Sequence, residues 1–355
     1  MSSRRYFCTL ADRNYLVRGL ALIESLQRHE RGDYTLYFVC LDELTRVVLT
    51  ALDHPNVVPV PLHAIEAGDE ALAAARANRT FVEYYWTLTP SIIRWLIQHY
   101  PAIDVLTYLD ADLYFFSPSD PVYAELGSRS ILIHEHRFTP DLAYMVAQSG
   151  RFNVGLLSFR RDADGMGALE WWRDRCNEWC YQRVESGKFG DQMYLDDWPT
   201  RFRNVVVLQN VGAGLAPWNV GNYRISAENG KTPTVDGGPV VFYHFHSLQV
   251  PRPDVVLTSK HSGFPLVEQL LRGCYVPYAE ALWRQGMAVK AVLPTFAFGM
   301  NEKISITPGH TLLVRQSPQN VDIGIGSYRR FPFPGGWEAR WAVLPEEARQ
   351  RAAHP

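Results

Sequence analysis

The sequence has almost no net charge: 35 lysines and arginines stand against 37 aspartates and glutamates, leaving −2 over 355 residues. A chain so balanced carries no global field for a polyanion, which excludes nucleic acid as its main partner. Long hydrophobic runs are missing too. No stretch approaches the ~18 uncharged apolar residues that a membrane-spanning helix needs. The first apolar stretch is broken by Asp12, Arg13, Arg18 and Glu24, so it reads neither as a signal segment nor as a span. Cysteine is scarce and odd in number (Cys8, Cys40, Cys176, Cys180, Cys274), which fits reduced thiols and a cytoplasmic address rather than a disulfide framework. On that address the Asn78-Arg79-Thr80 sequon is a chance match. No G-x-G-x-x-G, G-x-x-x-x-G-K or G-x-S-x-G occurs, which removes dinucleotide-binding dehydrogenases, P-loop NTPases and α/β-hydrolases.

What is present is the composition of a globular chain, 47% hydrophobic and 20% charged, long enough to bury a sizeable core. Short apolar runs at 6–10, 34–41 and 56–60 predict strands, and Leu16, Leu20, Ile23 and Leu26 recur at helical spacing with polar residues between them. Helices are expected over 65–77 and 90–99, then a strand from 104 that ends at Asp110. This alternation predicts an α/β fold with a mixed, mostly parallel central sheet and flanking helices. Further strands are expected at 131–133, 154–159, 205–208 and 240–243, with a Trp-rich helix over 167–183. Past about residue 265, Gly, Pro and aromatics dominate, so the chain divides into a main domain, 1–265, and a C-terminal extension, 266–355, of loops and weak strands. Arg329, Arg330, Phe331 and Phe333 predict a solvated loop, with peripheral contact to anionic lipid as the alternative.

The most informative segment is Tyr108-Leu109-Asp110-Ala111-Asp112-Leu113-Tyr114, an apolar run that stops in two carboxylates one residue apart. In extended backbone such residues share a face. At the C-terminal end of a strand in an open α/β sheet, that face is where ligands bind. Paired carboxylates are costly without a cation, and hard oxygen donors select Mg²⁺ or Mn²⁺, which keep positions for water and phosphate. A second apolar run ends in His244-Phe245-His246; an imidazole completing the site favours Mn²⁺. His134-Glu135-His136 lacks the i, i+4 histidines of a zinc helix and reads as a polar strand end near the acceptor side. Cys176 and Cys180, one helical turn apart among Trp171, Trp172 and Trp179, read as buried thiols. Trp198-Pro199 and Pro217-Trp218-Asn219 fit either a sugar-stacking surface or tight core turns.

Asp110-Ala111-Asp112 behind Leu106-Thr107-Tyr108-Leu109 resembles the metal-binding DxD motif of GT-A fold glycosyltransferases. The pattern is similar to the family of glycogenin and the bacterial lipooligosaccharide galactosyltransferases. Cys8 to Leu16, containing Asp12, Asn14 and Tyr15, resembles that family's nucleotide-binding strand and loop. Ser91-Ile92-Ile93-Arg94 resembles its donor-facing helix, Asn153-Val154-Gly155 its N-x-G strand, and Asp191-Gln192 the pair beside the anomeric carbon. The resemblance spans residues 4 to 260. It implies a Rossmann-like GT-A hexosyltransferase using a nucleotide-sugar donor, a UDP-sugar, with Mn²⁺ or Mg²⁺ held by Asp110, Asp112 and His244. Asp12, Asn14 and Tyr15 would hold the nucleotide, Arg94 and Asp110 the phosphates or sugar, and Asn153, Asp191 and Gln192 the transferred sugar, with retention. The implied acceptor is a saccharide or lipid-linked saccharide, in bacterial surface-polysaccharide synthesis.

Two positions depart from the family's His-x-x-Gly-x-x-Lys motif: Ser247 replaces the glycine and Val250 the diphosphate-binding lysine, so Arg252 or Lys260 is left to supply that charge. Whether His244 or His246 ligates is open at this level. The rival readings are a sugar nucleotidyltransferase, which normally carries a Gly-rich basic loop where Ala11-Asp12-Arg13-Asn14 stands, and a non-catalytic carbohydrate-binding protein on the same fold.

Overall fold

The computed structural model describes residues 4–259, 267–300, 310–315 and 328–342. The first nine strands in chain order are β1 (Arg5–Ala11), β2 (Tyr34–Cys40), β3 (Val57–Pro61), β4 (Val105–Leu109), β5 (Leu113–Phe115), β6 (Ile131–Glu135), β7 (Phe152–Arg160), β8 (Val205–Val207) and β9 (Ala213–Leu215). Seven of them form one sheet in the order β3-β2-β1-β4-β7-β6-β8. All neighbours run parallel except β7, which is antiparallel to both β4 and β6. The chain is therefore mixed α/β with a mostly parallel central sheet.

Helices cover both faces, which is why the strands read as near-continuous apolar runs. On one face the helix Leu16–His29 lays Leu16, Leu20, Ile23 and Leu26 against Phe7, Leu36, Phe38 and Leu109. On the other, the helices Phe81–His99 and Ala163–Glu178 bury Leu88, Ile92, Leu96, Leu169 and Trp172 with Cys8, Leu106 and Leu157. Phe7 and Cys8 thus face opposite cores, as strand alternation requires. The helix expected over 65–77 is two, Leu62–Glu66 and Glu70–Arg76. Gly68, at φ +74°, breaks the run, and Asp69 starts the second helix by accepting from Leu72 N at 3.0 Å. The Phe81–His99 helix begins in a Thr80/Glu83 capping box. Glu83 also accepts from Gln182 N at 2.8 Å, which ties a distant loop to the helix start.

Beyond β9 come the short β10 (Ile225–Ser226), β11 (Thr234–Val235) and β12 (Gly238–Pro239), which pair with one another, and β13 (Phe242–His244), which inserts between β5 and β9. A final antiparallel sheet runs β14-β15-β16-β18-β17, with β14 (Gln249–Arg252), β15 (Val255–Leu257), β16 (Thr311–Arg315), β17 (Tyr328–Pro332) and β18 (Trp337–Ala342). Residues 328–332 are therefore a paired strand rather than the solvated loop expected from their composition. Pairing of β15 with β16 joins the two sides of the 265/266 division in one sheet. The helix Val276–Val292 buries Tyr278 and Leu282 in a core with Ala21 of the Leu16–His29 helix. Arg284 and Gln285 donate from it to Glu24 at 2.6 and 2.8 Å. No described helix is long and apolar enough to cross a membrane.

Candidate functional site

The order of the central sheet fixes where a ligand belongs. From β1 the chain moves outward through β2 to β3, then returns past β1 to place β4 on its other side. A crevice opens outside the C-terminal ends of strands at such a reversal. The loops leaving β1 and β4, residues 12–15 and 110–112, lie side by side there. Because β7 runs antiparallel to β4, its first residues reach the same edge: Asp110 N donates to Gly155 O at 2.9 Å. The end of β6 arrives beside them, with His134 opposite Asn153.

Asp110 and Asp112 meet, though not by strand alternation. The backbone between β4 and β5 is a turn in which Leu113 N donates to Asp110 O at 3.1 Å. Antiparallel pairing of β5 with β13 sets His244 opposite Leu113. His244 Nε2 then lies 3.2 Å from Asp112 Oδ1 and 3.7 Å from Asp110 Oδ2. One ligand atom from each residue falls within 4.8 Å of the others, an Asp-Asp-His group able to hold a metal ion. His246 lies outside this group, exposed and edge-on to Trp218.

Burial works against ionisation of both carboxylates. For Asp112 it is outweighed by the charge and hydrogen bond of His244, which hold the acid at about 2. For Asp110 burial prevails, with the charge of Asp112 adding to it, and the acid is raised although Tyr108 donates to it at 2.8 Å. Burial lowers His244 in turn, but Asp112 and Asp110 together raise it. Two adjoining carboxylates sharing one imidazole, whose Nδ1 is buried without a partner, form a site that a divalent cation would neutralise. The oxygen and nitrogen donors suit Mn²⁺ or Mg²⁺.

A cavity of about 1170 Å³, counting the open solvent at its mouth, has Asp110 and His244 in its wall together with Asn153, Asp191 and Gln192. Asn153 is held rigidly: its Oδ1 accepts from Gly155 N at 2.8 Å and its Nδ2 donates to His136 Nε2 at 3.2 Å. His136 accepts that bond as a neutral ring, and burial lowers its pKa to about 3. Asp191 follows Gly190, which at φ +53° packs against the Trp86 ring. Its carboxyl is buried, and burial, then the charge of Asp110, push it well above the usual range. Gln192 Nε2 donates to Ser149 O at 2.6 Å, leaving its Oε1 as an acceptor. Trp86, Phe138, Phe189 and Trp218 supply aromatic wall.

Other expected residues are not in the wall of this cavity. Asp12 accepts from Asn14 N at 2.9 Å and Tyr15 N at 3.1 Å, an Asx turn that spends its carboxylate on its own loop. Tyr15 is 45% exposed. Arg94 does not reach the cavity: it pairs with Glu170 across two helices. Arg252 pairs with Asp254 at 2.9 Å, and Lys260 lies outside the described residues. Ser247 lies in the left-handed region, at φ +63°, a backbone that favours glycine. Sequence reasoning placed His136 at a strand end near the acceptor side without assigning it a contact, and it missed Arg18, a residue 7% exposed whose charge contributes to the low pKa of Asp112.

A mixed α/β sheet with an acidic, imidazole-bearing crevice at its switch point is the class these observations define. No family model matches the chain. It is 32% identical over 250 residues to the uncharacterized protein YfnF of Bacillus subtilis (strain 168), covering 69% of this chain and 82% of that protein. The chain belongs to the family of YfnF. It is also 29% identical over 312 residues to the uncharacterized protein YfnD of the same organism, covering 86% of this chain and 97% of that one. Among solved structures it is similar to the galactosyltransferase LgtC in complex with donor and acceptor sugar analogues, at 15% identity, 81% and 95% coverage and a TM-score of 0.47.

Proposed function

We propose that the protein is a metal-dependent, glycogenin-like glycosyltransferase that moves a sugar from a nucleotide-diphosphate donor, a UDP-sugar, to a saccharide or lipid-linked saccharide. The observation that carries this reading is the convergence of Asp110, Asp112 and His244 on one centre, with Asp110 and His244 in the wall of a cavity that also has amide and aromatic walls. When bound, a divalent ion supplies Lewis-acid charge for the departing diphosphate. Asp110, Asp112 and His244 are the residues that would hold it.

The remaining groups bind and orient. Asp191, whose carboxyl burial pushes toward the neutral form, lines the cavity where sugar hydroxyls would sit, and Gln192 offers Oε1 as an acceptor near the anomeric carbon. Asn153, fixed at both ends of its amide, is a preformed wall that needs no reorganisation during reaction. The aromatic rings suit the apolar faces of pyranose rings. We assign retention of configuration and a cytoplasmic site of action; the five free, buried thiols support a reducing compartment.

Incubation with a panel of nucleotide sugars, with and without MnCl₂, tests the reading. Manganese-stimulated release of nucleoside diphosphate is expected, lost in Asp112→Asn while that variant melts normally. Pyrophosphate-dependent turnover, or silence across the panel, overturns it.

A further inference from the structure

Arg18 stands in the first turns of the Leu16–His29 helix, where a solvated face would be its ordinary surrounding, yet it is 7% exposed. Its Nη1 donates to Asn14 O at 3.3 Å and its Nη2 to Leu248 O at 3.1 Å, while the guanidinium carbon lies 4.5 Å from the centre of the Tyr15 ring. Among the described residues no carboxylate forms an ion pair with it. Burying a guanidinium without a carboxylate is costly, so an anion belongs nearby. Asp112 is already paired with His244 Nε2 at 3.2 Å, and an ion held there would consume its negative charge. With two carboxylates matched by a divalent cation, the Arg18 charge is left over.

Two independent observations point the same way. Arg18 lines a second cavity, about 530 Å³ with its open solvent, whose charged wall residues among those described are Arg18 and Lys290, both cationic. Tyr278, fully buried one helical turn from Leu282 in the wall of that cavity, carries a hydroxyl with no partner among the described residues. A buried cation without an acid, a second cation on the same cavity and a hydroxyl without an acceptor describe a place for an anion. We infer that Arg18 binds the diphosphate of the nucleotide beside the Asp110-Asp112-His244 group, an inference that rests on the reading proposed above. Val250 lines the same cavity, so a lysine at that position would bring an ammonium to the space that Arg18 serves.

Calorimetric titration of the full chain with uridine diphosphate and uridine monophosphate in MnCl₂, with the guanosine, adenosine and cytidine forms alongside, tests this. The wild type should prefer the diphosphate. Arg18→Gln should weaken diphosphate binding roughly ten- to a hundredfold, as for a lost charge-assisted hydrogen bond, and monophosphate binding far less. Adding Val250→Lys to Arg18→Gln should restore the preference, a rescue that a purely structural role for Arg18 would not allow. If Arg18→Gln does not fold, Val250→Glu in the wild-type background should abolish the preference by neutralising Arg18 in place. An Arg18→Gln protein that melts normally and keeps its full preference overturns the inference while leaving the glycosyltransferase reading intact. A wild type that binds no nucleoside diphosphate with manganese overturns the reading beneath it.

Discussion

Asp110 and Asp112 are separated by one residue and titrate in opposite directions, because His244 bonds one of them and only approaches the other. Two further imidazoles behave differently. His134 and His136 are buried with no carboxylate paired to them among the described residues, and burial lowers each to about 3. An unfolded histidine titrates near 6.5, so below that pH the unfolded chain binds protons that the folded chain refuses, and stability falls as the solution is acidified. Each ring should cost about 1.4 kcal/mol one pH unit below 6.5. Urea unfolding at pH 7.5 and 5.5 measures this. The loss of stability between the two should be smaller by about that amount in His134→Asn, which keeps a donor for Leu156 O, the carbonyl to which His134 Nδ1 donates at 3.0 Å. An identical loss in the variant would show that His134 is not held neutral.

At the scale of elements, β7 shows how a strand can be legible and its purpose only partly so. The run 154–159 announces a buried strand, and Gly155 within it is explained by its neighbours: a Cβ there would lie 2.7 Å from Asn153 Oδ1 and 2.9 Å from His244 Nδ1. Gly155→Ala should therefore weaken manganese binding about ten- to a hundredfold, the usual cost of disturbing the groups that support metal ligands. Unchanged affinity in a titration followed by electron paramagnetic resonance would contradict the packing argument. The paired aspartates were readable because an apolar run stops abruptly in charge, yet a turn, and not extended backbone, brings them to one centre. Trp218 was readable only as one of two alternatives, a sugar-stacking surface or a tight core turn, and His136 only as a strand end near the acceptor side, since β6–β7 pairing and the loop after β9 bring them to the cavity over long sequence separations. Arg18 looked like the polar face of an amphipathic helix because nothing local reveals that Leu248 and Tyr15 close over it.

At the scale of the molecule, the switch point between β1 and β4 gathers loops that composition alone leaves unrelated. The segment beyond residue 265 contributes to the same body. Leu271, Cys274, Tyr275 and Tyr278 are fully buried in one cluster with Tyr114, Tyr243 and Phe245. Phe245 and Tyr278 stack at 3.8 Å between ring centres, directly behind the His244 strand. A chain ending at residue 265 would expose this cluster and should show no cooperative thermal transition. A soluble, sharply melting 1–265 fragment would instead establish the extension as a separate unit.

The account turns on whether Asp110, Asp112 and His244 hold a divalent ion that in turn meets a nucleotide. Anomalous diffraction at the manganese edge, from crystals soaked with MnCl₂ and uridine diphosphate, reads this directly. The expected result is one peak among those three side chains, with diphosphate density against it; a peak elsewhere, or none with the nucleotide bound away from the β1–β4 crevice, would contradict it.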